Sequence, residues 1–423
     1  MKISILTYGS RGDVQPYVAI GTRLQQAGHQ VYMPTPDMFK PLITDAGLHH
    51  QPVNSIGPHE FMHDPAIKAA AETGSQLRIL AATLRRAPKI LYTIFEDAWQ
   101  ATADTDFVIA SSIPFGFVDS AIARGLPWLY APLHPLYPTR AFPSPVTAPF
   151  GFRLNSRLNP LTFTLTRTMF ALAFGGTLNR WRRDHNLPPI NRFTYYRWLD
   201  QHAHYPTLYG FSPTILGHPT DWPANHRPTG YWFYDPPGWT PPPQLLDFLD
   251  AGPPPICIGF GSMDDQNPDR INKIILDALG QTGHRAIILS GWSTIGQNTP
   301  LPDTILRLDS APHNWLFPRV AAVVHHGGAG TTAATLRAGT PSLILPFAMD
   351  QPYWADRVTQ LGIGLRGPSF FKVTPHDLAT ALTELTTNPR YAQTGAHIRQ
   401  QLAAEDGPAA ILQTINAHPI KNQ

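Results

Sequence analysis

The chain has 423 residues, of which 43% are hydrophobic and only 14% are charged, and its net charge at neutral pH is +3. This length predicts two domains of ordinary size, and so small a net charge argues against nucleic acid as a partner. The single cysteine, Cys257, excludes an internal disulfide and a cysteine-rich zinc site.

The amino terminus opens with a strand pattern. Its apolar run, residues 3–8, is too short for the core of a signal peptide, and no stretch of the sequence is long enough for a membrane span. We therefore expect a cytoplasmic protein that is either soluble or peripheral at a membrane.

A glycine turn, Gly9-Ser10-Arg11-Gly12-Asp13, follows this first strand. Helical spacing over 14–24 and a second strand at 29–33 complete a βαβ unit. Further strands are expected at 107–110 and 128–130, with helical patterns between them. Strands that alternate with helices predict a mostly parallel, doubly wound sheet.

Residues 151–197 interrupt this alternation with apolar runs and eight arginines against a single acid, Asp184. Two interpretations stay open. The segment could lie on an anionic membrane or form an apolar acceptor pocket, or it could be two helices that pack on the core and expose a basic face to solvent.

Prolines concentrate between 217 and 252 and predict a stiff connector. We therefore expect an N-terminal Rossmann-like domain over 1–216, a linker over 217–252, a second Rossmann-like domain over 253–392 and a helical tail over 393–423 that packs back toward the first domain. Neither glycine turn that follows a domain's first strand reads G-x-G-x-x-G, which argues against a dinucleotide-dependent oxidoreductase.

The second domain contains a strand, a glycine-rich turn and a helix in succession: 320–324, then His325 to Thr332, then 333–338. Glycines allow a ligand close to the backbone, and a helix N-terminus offers unpaired N–H groups, so this pattern predicts an anion site. The polar pair Asp350-Gln351 follows the next strand and should reach the same crevice. A plain tight turn is the alternative.

Together these patterns predict an α/β protein in which two doubly wound domains face a cleft, with a carboxylate at Asp13 on one side and a phosphate site on the other. Several motifs in order resemble the UDP-glycosyltransferase family of GT-B fold, and most of all its sterol 3β-glucosyltransferase and bacterial antibiotic glycosyltransferase branches. These motifs are 9–16, 230–233, 259–263, 312–317, 325–332 and 350–358.

The resemblance implies an inverting, metal-independent transfer of glucose from UDP-glucose to a lipophilic acceptor, the 3β-hydroxyl of a sterol. The implied partners are a nucleotide-sugar donor and that acceptor, with no cofactor beyond a UDP- or dTDP-sugar co-substrate. We also expect a monomer. Two alternatives remain: glycosylation of a polyketide or peptide antibiotic aglycone from a dTDP- or UDP-sugar, and a non-catalytic nucleotide-sugar or lipid-binding protein.

The resemblance also assigns roles to residues. Asp13 is the expected base. Contacts to the donor diphosphate are expected from Ser10, Arg11, Gly12, Ser262, His325, Gly327, Gly328, Ala329, Gly330, Thr331 and Thr332. The nucleoside is expected at Gly261, Ser310, Ala311, His313 and Trp315, the sugar at Met349, Asp350 and Gln351, and the acceptor at His134, Phe142, Phe170 and Phe174. No metal ligand is expected.

Each main assignment has a structural alternative. Asp13 and Asp350 could simply mark helix starts, and His325 and Trp315 could be packed core residues. Ala333 and Ser310 stand where plant members of the family carry a ribose-binding glutamate and a base-stacking tryptophan, which leaves UDP or dTDP open. Asp104-Thr105-Asp106 spells the DxD of metal-dependent glycosyltransferases, although it precedes a strand on the acceptor side.

Overall fold

The computed structural model describes residues 1–55, 57, 76–113, 115–150, 155–261, 268–290, 301–347 and 349–417, with the backbone alone at 76–84, 148–150 and 268. The chain divides into two units. Unit 1 comprises Met1–Ser144, Leu154–Tyr234 and Asp406–Gln423, and unit 2 comprises Pro145–Arg153 and Asp235–Glu405.

The described strands are β1 (Lys2–Leu6), β2 (Gln30–Thr35), β3 (His49–Pro52), β4 (Phe107–Ala110), β5 (Trp128–Tyr130), β6 (Thr207–Tyr209), β7 (His226–Pro228), β8 (Ile256–Gly259), β9 (Ala286–Leu289), β10 (Ile305–Leu308), β11 (Ala322–His325), β12 (Ser342–Ile344) and β13 (Gly364–Arg366).

The described α-helices are α1 (Arg11–Gln26), α2 (Lys40–Thr44), α3 (Gln76–Ala101), α4 (Phe117–Ala123), α5 (Asn159–Asp184), α6 (Tyr195–His202), α7 (Pro213–Leu216), α8 (Pro243–Asp250), α9 (Pro268–Thr282), α10 (His313–Leu316), α11 (Ala329–Ala338), α12 (Gln351–Leu361), α13 (Pro375–Thr387), α14 (Pro389–Leu402) and α15 (Gly407–Ala417).

Unit 1 is built on a parallel five-stranded sheet in the order β3-β2-β1-β4-β5. Its central strands β1 and β4 are buried on both faces, because helices cover a parallel sheet on both sides. The direction of winding changes between β1 and β4, where Leu6 pairs with Ala110. Doubly wound sheets bind ligands outside the carboxyl ends of such strands, and the turn that leads to Asp13 leaves β1 at this point.

Unit 2 repeats the architecture with six parallel strands in the order β10-β9-β8-β11-β12-β13. Its winding changes between β8 and β11, where Gly259 pairs with His325. The two glycine turns of this unit therefore leave neighbouring strands at the same edge of the sheet. The α/β class with doubly wound parallel sheets is confirmed.

The C-terminal helix α15 belongs to unit 1 and packs on α1. Trp232 anchors this end of the chain: it is buried, contacts Tyr17 edge to face at 5.6 Å, and a Cβ added at Gly407 would lie 2.4 Å from its Cδ1. A side chain at position 407 would therefore displace this tryptophan.

Within 217–252, for which the sequence predicted an extended connector, the structure contains β7 and α8. The division between the units falls at Tyr234 and Asp235. Pro243 opens α8 instead of interrupting it, because proline's fixed φ and missing N–H suit the first helical turn. The four-part domain division stays a prediction.

The DxD residues have structural partners at the start of β1. Asp106 Oδ2 accepts a hydrogen bond from the Lys2 backbone N–H at 2.7 Å, and Asp104 forms an ion pair with the Lys2 ammonium group. The Thr105 hydroxyl lies 2.6 Å from that of Ser4. These contacts tie the loop before β4 to the neighbouring strand, which explains the acidic residues without a metal.

Candidate functional site

The carboxylate of Asp13 lies in the first turn of α1 and caps it. Its Oδ2 accepts hydrogen bonds from the Ser10 backbone N–H at 2.7 Å and from the Ser10 hydroxyl at 2.9 Å. The Thr7 hydroxyl also donates to the Asp13 carbonyl at 2.8 Å. Asp13 therefore caps α1, and these hydrogen bonds hold its half-buried carboxylate in one orientation.

Gly9 makes room for this arrangement. Its φ is +145°, and a Cβ added there would lie 2.3 Å from Asp13 Oδ2. Only glycine can occupy this position without moving the carboxylate. Among the other residues of the turn, Ser10 donates to Asp13, while Arg11 is exposed and its Nε donates to Gln15 Oε1 at 2.9 Å. Gly12 is also exposed. All of them belong to unit 1, and the remaining predicted donor-site residues belong to unit 2.

His325 is the last residue of β11 and is completely buried. Its Nδ1 accepts a hydrogen bond from the Gly327 backbone N–H at 3.1 Å. A ring nitrogen that accepts carries no proton, so the neutral ring must carry its proton on Nε2. That Nε2 has no hydrogen-bond partner among the described residues. The structure thus presents a buried N–H donor at the glycine-rich loop for which an anion site was predicted.

Burial holds the pKa of His325 well below its usual range, and the neighbouring His326 and His313 lower it further. The imidazole is therefore neutral at physiological pH. An unpaired buried donor costs free energy of about 1–3 kcal/mol, so an anionic ligand that accepts from Nε2 would recover this penalty.

The loop after His325 leads directly into α11. Gly328 is the N-cap, Ala329, Gly330 and Thr331 open the helix, and the side chain of Thr332 is buried, its hydroxyl donating to the Gly328 carbonyl at 3.0 Å. Gly330 has open space around it. The backbone N–H groups of this first turn and the positive end of the helix dipole suit a phosphate.

His326 fills the space between the two glycine turns of unit 2. A Cβ added at Gly328 would lie 2.6 Å from its Nε2, and a Cβ added at Gly261 would lie 3.2 Å from its Cε1. The sequence pattern alone gives His326 no separate role. In the structure it is a spacer that sets the separation of the two loops, which depends on both positions being glycine.

The predicted sugar-binding residues lie beside the same loop. A Cβ added at Gly327, whose φ is +94°, would be 3.1 Å from the Gln351 carbonyl. Gln351 is buried and its Oε1 accepts from the Phe347 N–H at 2.7 Å, while Asp350 Oδ2 accepts from Trp354 Nε1 at 2.8 Å. Asp350 is the N-cap residue of α12, as the helix-start alternative expects, but its side chain does not cap the helix.

Met349 adopts a φ of +58°, one of two positive values at non-glycine residues in the described part of the chain, and its side chain is 65% exposed. Left-handed backbone is uncommon for such a residue and often marks a functional turn. The turn that precedes α12 therefore exposes Met349 and presents Asp350 from the helix start.

Two of the predicted nucleoside-binding residues, Trp315 and His313, pack against aromatic neighbours. Trp315 packs at 5.1 Å from Trp239 with the Arg319 guanidinium 4.2 Å above its ring, and His313 stacks on Phe317 at 4.3 Å. Ala311 is buried and Ser310 is exposed after β10. Packing thus accounts for Trp315 and His313. Ser262 lies outside the described residues.

The predicted acceptor residues lie in unit 1. Phe142 is buried near Phe163, and Phe174 stacks on Phe115 at 5.1 Å and meets Phe170 edge to face. His134 Nδ1 is buried and has no hydrogen-bond partner among the described residues. Packing accounts for Phe142 and Phe174, and the acceptor assignment stays a prediction.

Sequence reasoning missed Gly9 and Trp354 as members of the site. The signal for Trp354 was its position four residues after Asp350, the spacing that places two side chains on one face of a helix. The steric role of Gly9 depends on a carboxylate that returns from four residues ahead, which local pattern does not reveal.

The two buried histidines make a testable prediction about acid stability. Burial lowers the pKa of His326 to about 4, and the pKa of His325 is well below its usual range. Below a pH of about 6.5 these two histidines bind protons in the unfolded chain but not in the folded chain, so their contribution to stability falls as pH falls. From pH 7.5 to 5.5 the two groups together should cost about 2–3 kcal/mol.

This loss is measurable as a lower urea midpoint for unfolding at pH 5.5. The double variant His325→Asn/His326→Asn should show a flatter pH dependence than the parent, even if it is less stable at both values. An identical pH dependence in the two proteins would refute the assignment. Burial raises the pKa of Asp200 to about 6, which has the opposite effect on the pH dependence of stability. Asp200 lies in unit 1 and is present in both the parent and the variant, so its effect cancels in the comparison.

Family models match both ends of the chain. Residues 3–96 match the glycosyltransferase family 28 N-terminal domain, and residues 273–418 match the erythromycin biosynthesis protein CIII-like C-terminal domain. The chain is also similar to O-mycaminosyltylonolide 6-deoxyallosyltransferase of Streptomyces fradiae, with 34% identity over 415 residues that cover 96% of this chain and 95% of the relative.

Sterol 3-beta-glucosyltransferases are similar along the whole chain. The protein of Cryptococcus neoformans is 33% identical over 440 residues and that of Emericella nidulans 34% over 430, each alignment covering 98% of this chain. These residues make up only 27% and 30% of the two relatives. The chain therefore spans less than a third of the sterol enzymes it matches.

Solved structures share the fold. A kitacinnamycin glycosyltransferase and a calicheamicin glycosyltransferase each superpose with a TM-score of 0.71 at 18% and 17% identity, covering 98% of this chain and 98% and 97% of theirs. A third glycosyltransferase, solved with dTDP, covers 98% of this chain and 99% of its own at 19% identity and a TM-score of 0.68. The chain belongs to the GT-B glycosyltransferases that include the sterol 3-beta-glucosyltransferases and the bacterial antibiotic glycosyltransferases.

Proposed function

We propose that this glycosyltransferase moves glucose from UDP-glucose to the 3β-hydroxyl of a sterol, with inversion at the anomeric carbon and without a metal. The observation that carries the donor half is the buried Nε2–H of His325, which has no partner among the described residues and lies at a loop that opens α11. A diphosphate supplies the acceptors that this loop lacks.

The proposed reaction is a single displacement. Asp13 takes the proton of the acceptor hydroxyl, the acceptor oxygen forms a bond to the anomeric carbon, and the bond from that carbon to the diphosphate oxygen breaks with its electron pair. A single displacement inverts the configuration. The orientation that Ser10 and Gly9 impose on Asp13 suits it to this role, because a base must be positioned before it can act.

The leaving diphosphate gains negative charge as the bond breaks. The His325 N–H, the first N–H groups of α11 and the Thr331 hydroxyl are the donors we assign to it. Preorganised donors of this kind contribute about 3 kcal/mol each to the transition state, so they can do what a metal does elsewhere. Asp350 and Gln351 are proposed to hold the sugar hydroxyls, since their orientations are fixed by Trp354 and Phe347.

Similarity to the sterol 3-beta-glucosyltransferases over 98% of the chain supports the sterol as acceptor. A second candidate is transfer from a dTDP-deoxysugar to a macrolide aglycone. It is favoured by the deoxyallosyltransferase of Streptomyces fradiae, because that relative, unlike the sterol enzymes, is matched over 95% of its own length. We propose that the protein acts as a monomer in either case.

A product assay separates the two candidates. The protein should be incubated with UDP-glucose or dTDP-glucose and with a panel of sterols and macrolide aglycones, and the products read by mass spectrometry. We expect a sterol hexoside from UDP-glucose, formed equally well in EDTA and carrying a β linkage by NMR. Products only from aglycones and dTDP-glucose would select the second candidate, and a product lost in EDTA would refute metal independence.

A further inference from the structure

The solvent-facing side of α5 carries a row of large apolar side chains. Leu161, Leu165, Met169 and Leu172 recur every three or four residues, which places them on one helix face, and Leu158 precedes them at the N-cap. All five are exposed, Leu161 by 59% and Leu172 by 57%. We call these five residues the α5 stripe. They are five of the eleven exposed large hydrophobic residues in the described part of the chain.

The stripe is not the face that attaches α5 to unit 1. Phe163, Ala171, Leu178 and Trp181 are buried, so the helix already has an apolar face in the core. A surface helix normally presents polar residues opposite such a face. Exposed apolar side chains in a continuous row mark an interaction surface.

Arginines border the stripe at both ends. Arg180 and Arg183 continue the same face of α5 toward its C-terminus, and Arg157 precedes the N-cap; all three are exposed. From Leu158 to Arg183 the face is about 37 Å long at the α-helical rise. Its interior is apolar and its ends are cationic.

A neighbouring turn adds to this surface. Residues Arg192–Thr194 form a 3₁₀ turn that packs on α5, where a Cβ added at Gly175 would lie 2.4 Å from the Arg192 Cβ. Phe193 of this turn is 59% exposed, and the Arg192 guanidinium lies 5.1 Å from its ring centroid. The acid of the region, Asp184, accepts from Tyr92 at 2.8 Å and lies 4.0 Å from Arg180.

We propose that the α5 stripe and its arginines dock this protein on an anionic lipid surface, with α5 lying in the plane of the interface. Amphipathic surfaces of this kind insert apolar side chains among the lipid chains and place cationic side chains against the headgroups. Charge favours lipid over a second copy of the chain, since pairing two such faces would bring like charges together. Within the described residues no helix is long and apolar enough to cross a membrane.

Vesicle sedimentation tests the proposal without donor or acceptor, so its outcome is independent of the proposed reaction. The protein should sediment with vesicles of phosphatidylcholine and phosphatidylglycerol at low salt, less at high salt, and weakly with phosphatidylcholine alone. The variant Leu165→Gln/Leu172→Gln should bind at least about tenfold more weakly. The variant Arg180→Gln/Arg183→Gln should lose about fivefold for each arginine at low salt.

Matched controls exist outside α5 and its neighbouring turn. Leu246 and Phe371 are 41% and 60% exposed and lie away from α5 in the sequence, so Leu246→Gln/Phe371→Gln removes similar exposed apolar area. Arg227 and Arg390 are exposed arginines outside the segment, and Arg227→Gln/Arg390→Gln controls for net charge. Both controls should bind vesicles as the parent does.

Several results would overturn the proposal. The first is that the parent fails to sediment with vesicles at low salt, and the second is that the α5 and control variants lose vesicle binding equally. The third is that light scattering shows a dimer that the leucine variant converts to a monomer. A further one is unchanged vesicle binding in the leucine variant together with a raised KM for a detergent-dispersed acceptor, which would identify the stripe as part of the acceptor site.

Discussion

Replacing Asp13 by Asn should lower the turnover number for sugar transfer by about 10²- to 10⁴-fold, the usual contribution of a positioned base, while the dissociation constant for UDP stays unchanged. An amide oxygen can still accept from the Ser10 N–H and keep α1 capped, but an amide cannot take the proton of an acceptor hydroxyl. Single-turnover kinetics and calorimetric titration of UDP measure the two quantities.

The chain contains a close structural match for the control. At the start of α13, Asp377 Oδ2 accepts from the Thr374 backbone N–H at 3.0 Å and from the Thr374 hydroxyl at 2.7 Å, the same pattern as Asp13 with Ser10. Asp377→Asn therefore perturbs an equivalent cap at another helix. It should cost up to about 1 kcal/mol of stability and leave transfer intact. Equal turnover in the two variants would reduce Asp13 to a capping residue.

The glycine turns that precede α1 and α11 were predictable because their sequence signals are local. A run of β-branched residues, a glycine turn and then good helix formers specify strand, loop and helix without reference to distant sequence. The parallel, doubly wound fold class was predictable from the alternation of strand and helix patterns along the chain. Since ligands gather where the winding direction changes, the class also placed Asp13 and His325 at the carboxyl ends of central strands.

Features that depend on packing were not predictable. The apolar residues of α5 lie on two faces, and only the tertiary fold decides that Phe163 is buried and Leu161 is exposed. The proline-rich stretch suggested a connector because proline stiffens an extended chain. Proline can also open a helix, and Pro243 does so at the start of α8. The spacing role of His326 depends on Gly261, 65 positions earlier in the chain.

Replacing His325 tests the donor half of the site, and the choice of side chain separates its two nitrogens. An Asn amide reaches roughly as far as Nδ1 and can still accept from the Gly327 N–H, but it has no group at the position of Nε2. His325→Asn should therefore keep the loop and weaken UDP binding by about 10- to 150-fold, the value of a hydrogen bond to a charged group. A Gln amide reaches the position of Nε2, so His325→Gln should retain more affinity than His325→Asn.

His284 provides the control, since it is a partly buried histidine of unit 2 that, like His325, has one ring nitrogen, here Nδ1, without a hydrogen-bond partner among the described residues. His284 precedes β9, and its Nε2 lies 3.1 Å from the Thr386 hydroxyl. Because His284 is not among the predicted donor-site residues, His284→Asn should change stability and leave the UDP dissociation constant unchanged. Calorimetry with UDP and with dTDP measures all three variants. If His325→Asn bound both nucleotides as the parent does, the unpaired Nε2–H would have no role in the diphosphate site, and the donor assignment would have to rest on α11 alone.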